Sequence, residues 1–203
     1  MKLYLIRHAE SEANAASDLD NPTYYYDARI TQRGVEQAKK LNNRIKNLKF
    51  DNYFCSPLTR TLETFSIVFP SNKPVIEPLI REHLYHSCDV GRQPKKLKKE
   101  FNDFDFDNLN DFWWNNNKPI NEKKIKQESH NDIKMRLRSF LLSIKNLNLQ
   151  KIVLVSHGTF LSQITEYMLD NCEVYDCDYN EVCLLYTSPS PRDRYGSRMP
   201  SSA

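Results

Sequence analysis

The sequence predicts an α/β protein, folded as a three-layer α/β/α sandwich around a mainly parallel sheet. Short apolar runs alternate along the chain with longer segments in which apolar residues recur every three or four positions. The short runs are apolar almost throughout and do not alternate with polar residues. This pattern is typical of parallel strands that helices cover on both faces.

The first elements follow one another in the order that such a sandwich requires. A strand is predicted over residues 2–7 and a short helix over residues 11–16. The clearest helix is predicted over residues 31–48, because Thr31 is a good N-cap and an apolar stripe follows it. The stripe consists of Val35, Ala38, Leu41, Ile45 and Leu48.

The later elements are predicted from the same signals. Pro57 lies in the first turn of a helix that Pro70 ends. A capping box at residues 129–132 opens a long helix whose apolar stripe runs to Leu147. Further strands are predicted at residues 51–55, 74–76 and 151–156, and a last helix at residues 158–169.

Two segments break this alternation. Residues from about 84 to 128 are predicted to form an insertion that serves as a lid, with its aromatic side chains in a small satellite core. Those aromatic residues are Phe101, Phe104, Phe106, Phe112, Trp113 and Trp114. Residues 187–203 have no apolar periodicity and are predicted to be a disordered or non-native tail, which leaves residues 1–186 as one domain.

Composition excludes several classes of protein. The chain of 203 residues is 39% hydrophobic, yet it has no run near the roughly 18 apolar residues that span a membrane and no apolar leader. We therefore expect a soluble, cytoplasmic protein without a membrane partner. The five cysteines have neither redox-pair nor zinc-ribbon spacing, which indicates reduced thiols. The histidine spacing predicts no metal site.

The charge of the chain does not indicate a nucleic-acid partner. The net charge is +3, but the tail from residue 187 holds three arginines and one aspartate, so the rest carries only +1. The lysine clusters at residues 95–99 and 123–126 lack interleaved aromatic residues and are typical of solvated helix faces. No pattern in the sequence indicates an oligomeric state.

Two histidines follow predicted strands. His8 comes directly after Arg7 at the end of the first strand, and His157 follows strand 151–156. Arg60 lies in the first turns of the helix after the second strand. Because ligands of open α/β sheets bind at the carboxyl ends of the strands, we expect these cationic and imidazole groups to converge there.

Such a cluster suits a phosphoryl group, because guanidinium groups match its oxygens without a metal or cofactor. The chain has only four glycines, and they form neither a nucleotide-binding fingerprint nor a P-loop. We expect Asn14 and the backbone N–H groups of the helix that begins at Gly158 to add hydrogen bonds to the anion. A neutral His8 could attack phosphorus and carry it as phosphohistidine.

The departing alkoxide needs a proton from a carboxylic acid whose pKa is raised. Glu82 is the predicted acid, and Glu63 and Glu77 are its competitors nearby in the sequence. The same group could later activate water.

Five segments resemble the motifs of the histidine phosphatase superfamily, the phosphoglycerate mutase-like proteins. These segments are residues 7–14, 30–38, 56–64, 80–82 and 155–158, in the order found in that superfamily. The resemblance implies that His8 is the phosphohistidine and that Glu82 donates the proton. It also implies phosphate contacts from Arg7, Asn14, Arg60 and His157, and we add Ser11 and Gly158 to this set. Residues 81–92 and 112–114 resemble a less characterised eukaryotic branch.

Three functions are compatible with these residues. The first is a phosphatase that acts on a small phosphorylated metabolite or a phosphoprotein. The second is a phosphoglycerate mutase, which must keep water out and which typically has more chain for lids than these 186 residues provide. The third is a non-catalytic module that binds phosphate or a partner, against which the intact set of reactive residues argues.

Overall fold

The computed structural model describes residues 1–17, 25–115 and 127–187. Its strands are β1 (Lys2–Arg7), β2 (Asn52–Cys55), β3 (Val75–Ile76), β4 (Lys151–Ser156) and β5 (Val174–Asp178). Its α-helices are α1 (Glu12–Ser17), α2 (Gln32–Ile45), α3 (Thr59–Val68), α4 (Pro94–Glu100), α5 (His130–Ile144), α6 (Gly158–Thr165) and α7 (Tyr179–Thr187). No helix of the described ranges has both the length and the apolar character needed to cross a membrane.

The strands form one sheet in the order β3-β2-β4-β1-β5. The pairs β3-β2, β2-β4 and β4-β1 are parallel, and only β5 runs antiparallel, against β1. The prediction of a mainly parallel sheet is therefore confirmed. In the central pair, Arg7 is in register with Ser156, so β1 and β4 end side by side.

Helices cover both faces of the sheet, which confirms the three layers. Along β1, Leu3 and Leu5 belong to one apolar cluster and Ile6 to the other, as the period of two in a strand requires. Helices α2 and α3 pack on the Ile6 face. Helices α5, α6 and α7 pack on the Leu3 face.

The aromatic insertion does not form the predicted satellite core. Phe106, Trp113 and Trp114 are buried in the same cluster as α2 and α3. The ring centroid of Phe104 lies 5.7 Å from that of Phe65 on α3, which joins the two regions. The insertion extends the main core because the apolar surface of α3 offers more burial than the insertion could supply alone.

Three helices are shorter than their apolar patterns predict. Helices α2 and α5 end at Ile45 and Ile144, and the predicted inward residues Leu48 and Leu147 are 43% and 41% exposed. Helix α6 ends at Thr165, where the next residue, Glu166, has a φ of 63°. A left-handed residue of this kind stops a helix although the apolar residues continue beyond it.

Helix α4, strand β5 and helix α7 have no counterpart among the predicted elements. Strand β5 has acidic residues at alternate positions because it is a half-buried edge strand. Lys2 pairs with Asp176 across this edge at 2.5 Å. The predicted tail after residue 187 and residues 116–126 of the predicted insertion lie outside the described residues.

Candidate active site

The ends of β1 and β4 bring the two histidines together. The backbone N–H of His8 donates to the Ser156 carbonyl at 3.0 Å, which continues the ladder one residue past β1. The ring centroids of His8 and His157 are 5.1 Å apart. Both side chains are buried, so each imidazole is held by rigid backbone at the carboxyl edge of the sheet.

A cavity of about 240 Å³ opens at this edge. Every site residue predicted from the sequence lines it except His157, which lies against His8. The predicted residues that line the cavity are Arg7, His8, Ser11, Asn14, Arg60, Glu82 and Gly158. The far wall is formed by the start of the insertion, including Tyr85, Cys88 and Asp89.

Hydrogen bonds fix the tautomer of His8. Nδ1 donates to the carbonyl of Ala9 at 2.7 Å, so the neutral ring has its lone pair on Nε2. Nε of Arg60 donates to this Nε2 at 3.3 Å. Burial, followed by the charge of Arg60, holds the pKa of His8 well below its usual range. His8 is therefore a neutral imidazole with its reactive nitrogen turned toward Arg60.

His157 is neutral for the same reasons. Burial and the positive charge of Arg60 hold its pKa well below the usual range. Its Nε2 lies 2.8 Å from the hydroxyl oxygen of Ser56, which accepts from the N–H of Leu58 at 3.4 Å. A Ser56 hydroxyl that donates to His157 Nε2 leaves the ring proton of the neutral imidazole on Nδ1.

Two buried nitrogens at the site have no hydrogen-bond partner within the described residues. They are Nε of Arg7 and Nδ1 of His157. The guanidinium of Arg7 is otherwise anchored, because Nη1 donates to the Leu169 carbonyl at 2.6 Å. Since buried polar groups in proteins are nearly always hydrogen-bonded, two such atoms beside His8 indicate a site for an acceptor-rich ligand.

The Glu82 carboxylate lies at the N-terminus of α6. Its Oε2 accepts from the N–H of Thr159 at 3.1 Å, and its Oε1 accepts from the N–H of Phe160 at 3.0 Å. The side chain of Glu82 therefore occupies the N–H groups of Thr159 and Phe160 in this structure, and the contact of the bound anion with the N–H of Gly158 stays a prediction. Burial, followed by the charge of Asp89, raises the pKa of Glu82 despite these bonds.

The competing acids lie elsewhere. Glu63 accepts from the N–H of Ile30 at 2.8 Å and pairs with Arg29 at 2.6 Å. Glu77 accepts from the N–H of Leu79 at 2.9 Å. Neither side chain lines the cavity that contains His8, so Glu82 is the acid best placed for proton transfer.

Ser11 and Asn14 form one hydrogen-bonded unit at the start of α1. Oδ1 of Asn14 accepts from the hydroxyl of Ser11 at 3.0 Å and from the amide of Asn171 at 3.4 Å. The same Asn171 amide donates to the His8 carbonyl at 2.9 Å. These bonds orient the Asn14 side chain at the rim of the cavity.

Several residues that shape the site have no local sequence signal. Asp89, Asn171 and Glu128 act through partners 29, 163 and 47 residues away, respectively. Buried Glu128 pairs with Arg81 and with Arg136, whose Nη2 lies 2.8 Å from Oε2 of Glu128. No local sequence pattern indicates this network, because Glu128 and Arg81 are 47 residues apart and become neighbours only when the chain folds.

The fold and the site together define an α/β protein with a pocket built around a neutral histidine and two arginines. The chain belongs to the histidine phosphatase superfamily (branch 1), whose family model matches residues 3–189. It is 28% identical over 165 residues to "Putative phosphoserine phosphatase 2" of Hydrogenobacter thermophilus, covering 80% of this chain and 76% of that protein.

Another relative carries a different name. The chain is 29% identical over 174 residues to "Probable phosphoglycerate mutase GpmB" of Photorhabdus laumondii, covering 79% of this chain and 71% of that protein. Among solved structures, the alpha-ribazole phosphatase of Shigella flexneri matches with a TM-score of 0.60 and 24% identity, covering 88% of this chain and 90% of that one. This likeness shows the fold.

Proposed function

We propose that the protein is a phosphatase that transfers the phosphoryl group of a phosphomonoester to His8 and then to water. The observation that carries this proposal is the set of groups around His8, whose lone pair is on Nε2: Arg7 lines the same cavity, and the ring of His157 packs against that of His8. Within the described residues, Arg7 Nε and His157 Nδ1 are buried without a hydrogen-bond partner. A phosphoryl group offers acceptors to both nitrogens while its phosphorus faces the nucleophile.

In the first step, Nε2 of His8 forms a bond to phosphorus as the bond from phosphorus to the ester oxygen breaks. The electron pair stays on the departing oxygen, which takes a proton from Glu82. Nε of Arg60 donates to Nε2 at 3.3 Å in this structure, and as phosphorus takes this place at Nε2 the same N–H donates to a phosphoryl oxygen without a change in the guanidinium plane. Because the pKa of His8 is low, the ring is neutral and nucleophilic at physiological pH.

In the second step, the Glu82 carboxylate accepts a proton from water as the water oxygen attacks phosphorus. The nitrogen–phosphorus bond breaks, its electron pair returns to Nε2, and inorganic phosphate leaves. No metal or cofactor enters either step as proposed. We propose the same roles for the predicted residues as above: phosphate contacts from Arg7, Ser11, Asn14, Arg60, His157 and Gly158.

Phosphoglycerate mutase activity is the second candidate, because a relative of similar identity bears that name. The two activities share the phosphohistidine and differ in whether water reaches it. For the substrate we propose a small phosphorylated metabolite or a phosphoprotein, since relatives are named for phosphoserine and for alpha-ribazole phosphate.

The test is incubation of the purified protein with a panel of phosphomonoesters, and separately with 3-phosphoglycerate plus 2,3-bisphosphoglycerate. We expect free phosphate from at least one ester and no isomerised phosphoglycerate. His8→Ala should reduce phosphate release to the background rate, because it removes the proposed nucleophile. His130→Ala is the matched control, since His130 is exposed on α5 and does not line the cavity.

Isomerised product without free phosphate would establish the mutase instead. If the wild type released neither product while binding phosphate, the site would be a binding module.

A further inference from the structure

The insertion contributes one buried acidic residue to the site, Asp89. It ends a 3-10 turn of residues 87–89, and only 4% of its surface is exposed. Oδ1 lies 3.0 Å from Nη2 of Arg60, which is equally buried. Oδ2 accepts from the backbone N–H of His86 at 2.9 Å. Both oxygens therefore have fixed partners.

Arg60 is held from two sides by this turn. Its Nη1 donates to the Cys88 carbonyl at 2.7 Å while Nη2 pairs with Asp89. These two bonds hold the guanidinium plane so that its third nitrogen, Nε, faces Nε2 of His8. A guanidinium has five N–H groups, so two Nη hydrogens remain available to phosphoryl oxygens in this orientation. The direction of Arg60 is thus set by the turn as well as by α3.

The position of Asp89 is itself rigid. The indole N–H of Trp113 donates to the Arg92 carbonyl at 2.9 Å, and Trp113 is buried in the main apolar core. Val90 packs against the same core. The aromatic residues of the insertion therefore anchor the strip of chain that carries Asp89, which explains why they lie in the core and not in the cavity.

We propose that Asp89 is a positioning residue of this site: it fixes the Arg60 guanidinium beside His8 and places its own carboxylate in the cavity that Glu82 lines. This inference rests on the phosphatase proposed above. It assigns the insertion a part in catalysis, because the acid–base group and the phosphate-binding arginine both depend on a residue outside the five segments that resemble the superfamily's motifs.

The charge of Asp89 has a consequence for proton transfer. Glu82 must be protonated to act as an acid, and a neighbouring carboxylate favours its protonated form. Besides Asp89, the charged or titratable side chains that line the same cavity as Glu82 are Arg7, His8, Arg60, His83, Tyr85, His86 and Cys88. Arg136 reaches only its backbone carbonyl, at 3.2 Å. Arg7 and Arg60 favour the ionised form of Glu82, and the carboxylate of Asp89 offsets part of their effect on its pKa.

The test is the pH dependence of sulfate binding, measured by calorimetry between pH 5 and 9, where sulfate stays a dianion. Ionisation of Glu82 repels the anion, so the affinity of the wild type should fall as pH rises through the pKa of Glu82. The part of the pH dependence of sulfate affinity that disappears in the Glu82→Gln variant is assigned to the ionisation of Glu82. In the Asp89→Asn variant, we expect the midpoint of the Glu82-dependent fall in sulfate affinity to move down by roughly 0.5–1 pH unit.

Two further variants separate charge from structure. Asp89→Glu keeps the charge, and we expect it to keep the wild-type midpoint. Asp107→Asn removes an exposed acid of the same insertion that pairs with Lys98, and it should change nothing. If Asp89→Asn does not fold, as judged by circular dichroism, Asp89→Ser takes its place, because a hydroxyl can still accept from Arg60.

An unchanged midpoint in a folded, uncharged variant at position 89 would overturn the proposal. Because sulfate binding needs no turnover, this result is distinguishable from failure of the phosphatase assignment, which would appear as wild-type protein that binds sulfate and releases no phosphate from esters. If the wild type is a phosphatase, Asp89→Asn should show the same downward shift in the pH profile of kcat for an alkyl phosphate.

Discussion

At the scale of single residues, the chemistry depends on which groups are charged. Burial and the positive charges of Arg60 and Arg7 together keep His8 neutral, and the hydrogen bond from Nδ1 to Ala9 directs its lone pair outward from the strand. Burial also raises the pKa of Glu82. The same desolvation thus prepares a nucleophile and an acid, because it disfavours the charged form of each.

Glu82→Gln tests the acid directly. The amide cannot donate a proton to the leaving oxygen, so hydrolysis of alkyl phosphates should slow by about 10²–10⁴-fold. Hydrolysis of p-nitrophenyl phosphate should slow much less, because nitrophenolate leaves without a proton. Steady-state kinetics on both esters measures the difference, and Glu63→Gln is the matched control outside the cavity. Equal slowing of both esters would remove Glu82 from this role.

The positions of His8, His157 and Arg60 could be predicted from the sequence, because each follows a recognisable strand or opens a recognisable helix. Glu82 could be selected only through its motif. Asp89, Asn171 and Glu128 could not be predicted, because their roles depend on contacts across 29 to 163 residues. Local patterns identify which elements carry a site, but they do not identify the side chains that hold it in place.

At the scale of elements, two glycines allow neighbouring groups to lie close to a helix backbone, and the two close contacts have different consequences. A Cβ at Gly34 on α2 would lie 2.3 Å from the carbonyl oxygen of Glu10, in the backbone that follows His8. A Cβ at Gly158 on α6 would meet the Met168 side chain at 2.2 Å and Nε of Arg7 at 3.3 Å. The first glycine allows a helix to pack, and the second leaves room beside Nε of Arg7, a proposed phosphate contact.

The pair Gly34→Ala and Gly158→Ala tests this distinction. Gly34→Ala should lower the free energy of unfolding by about 1–3 kcal/mol, because the backbone of Glu10 cannot move aside easily. Gly158→Ala should leave stability nearly unchanged, since the half-exposed Met168 side chain can rotate away, and should raise KM several-fold by crowding Arg7. Urea melts and steady-state kinetics of both variants measure these effects. A loss of stability in Gly158→Ala with unchanged KM would contradict this account.

Element boundaries were predicted less well than element types. The apolar stripe of α2 continues to Leu48, but the helix ends at Ile45 because the chain must turn toward β2. Strand β5 was not predicted because it has only five residues, two of them are acidic, and its pairing with β1 is visible only in the folded chain. Helix α7, which follows it, was not predicted either. Contacts between elements distant in sequence determine both the end of α2 and the formation of β5 and α7.

At the scale of the whole molecule, the parallel sheet is what brings together groups that are distant in sequence. Residues 7–8 and 157 meet because β1 and β4 are parallel neighbours, and Arg60 joins them because α3 follows β2 on the other side of β4. The class of fold could be predicted because buried parallel strands have a distinct apolar pattern. The insertion adds Asp89 from outside the sheet, and this could not be predicted.

The most direct test of the whole account is to locate the phosphoryl group on the protein during turnover. Wild-type protein is mixed with a phosphomonoester that it hydrolyses, quenched in alkali within milliseconds, digested and examined by mass spectrometry and ³¹P NMR. We predict an acid-labile phosphoramidate on Nε2 of His8, absent from His8→Ala. Turnover with phosphate on another residue, or with no phosphorylated protein at any quench time, would contradict the claim that His8 is the nucleophile.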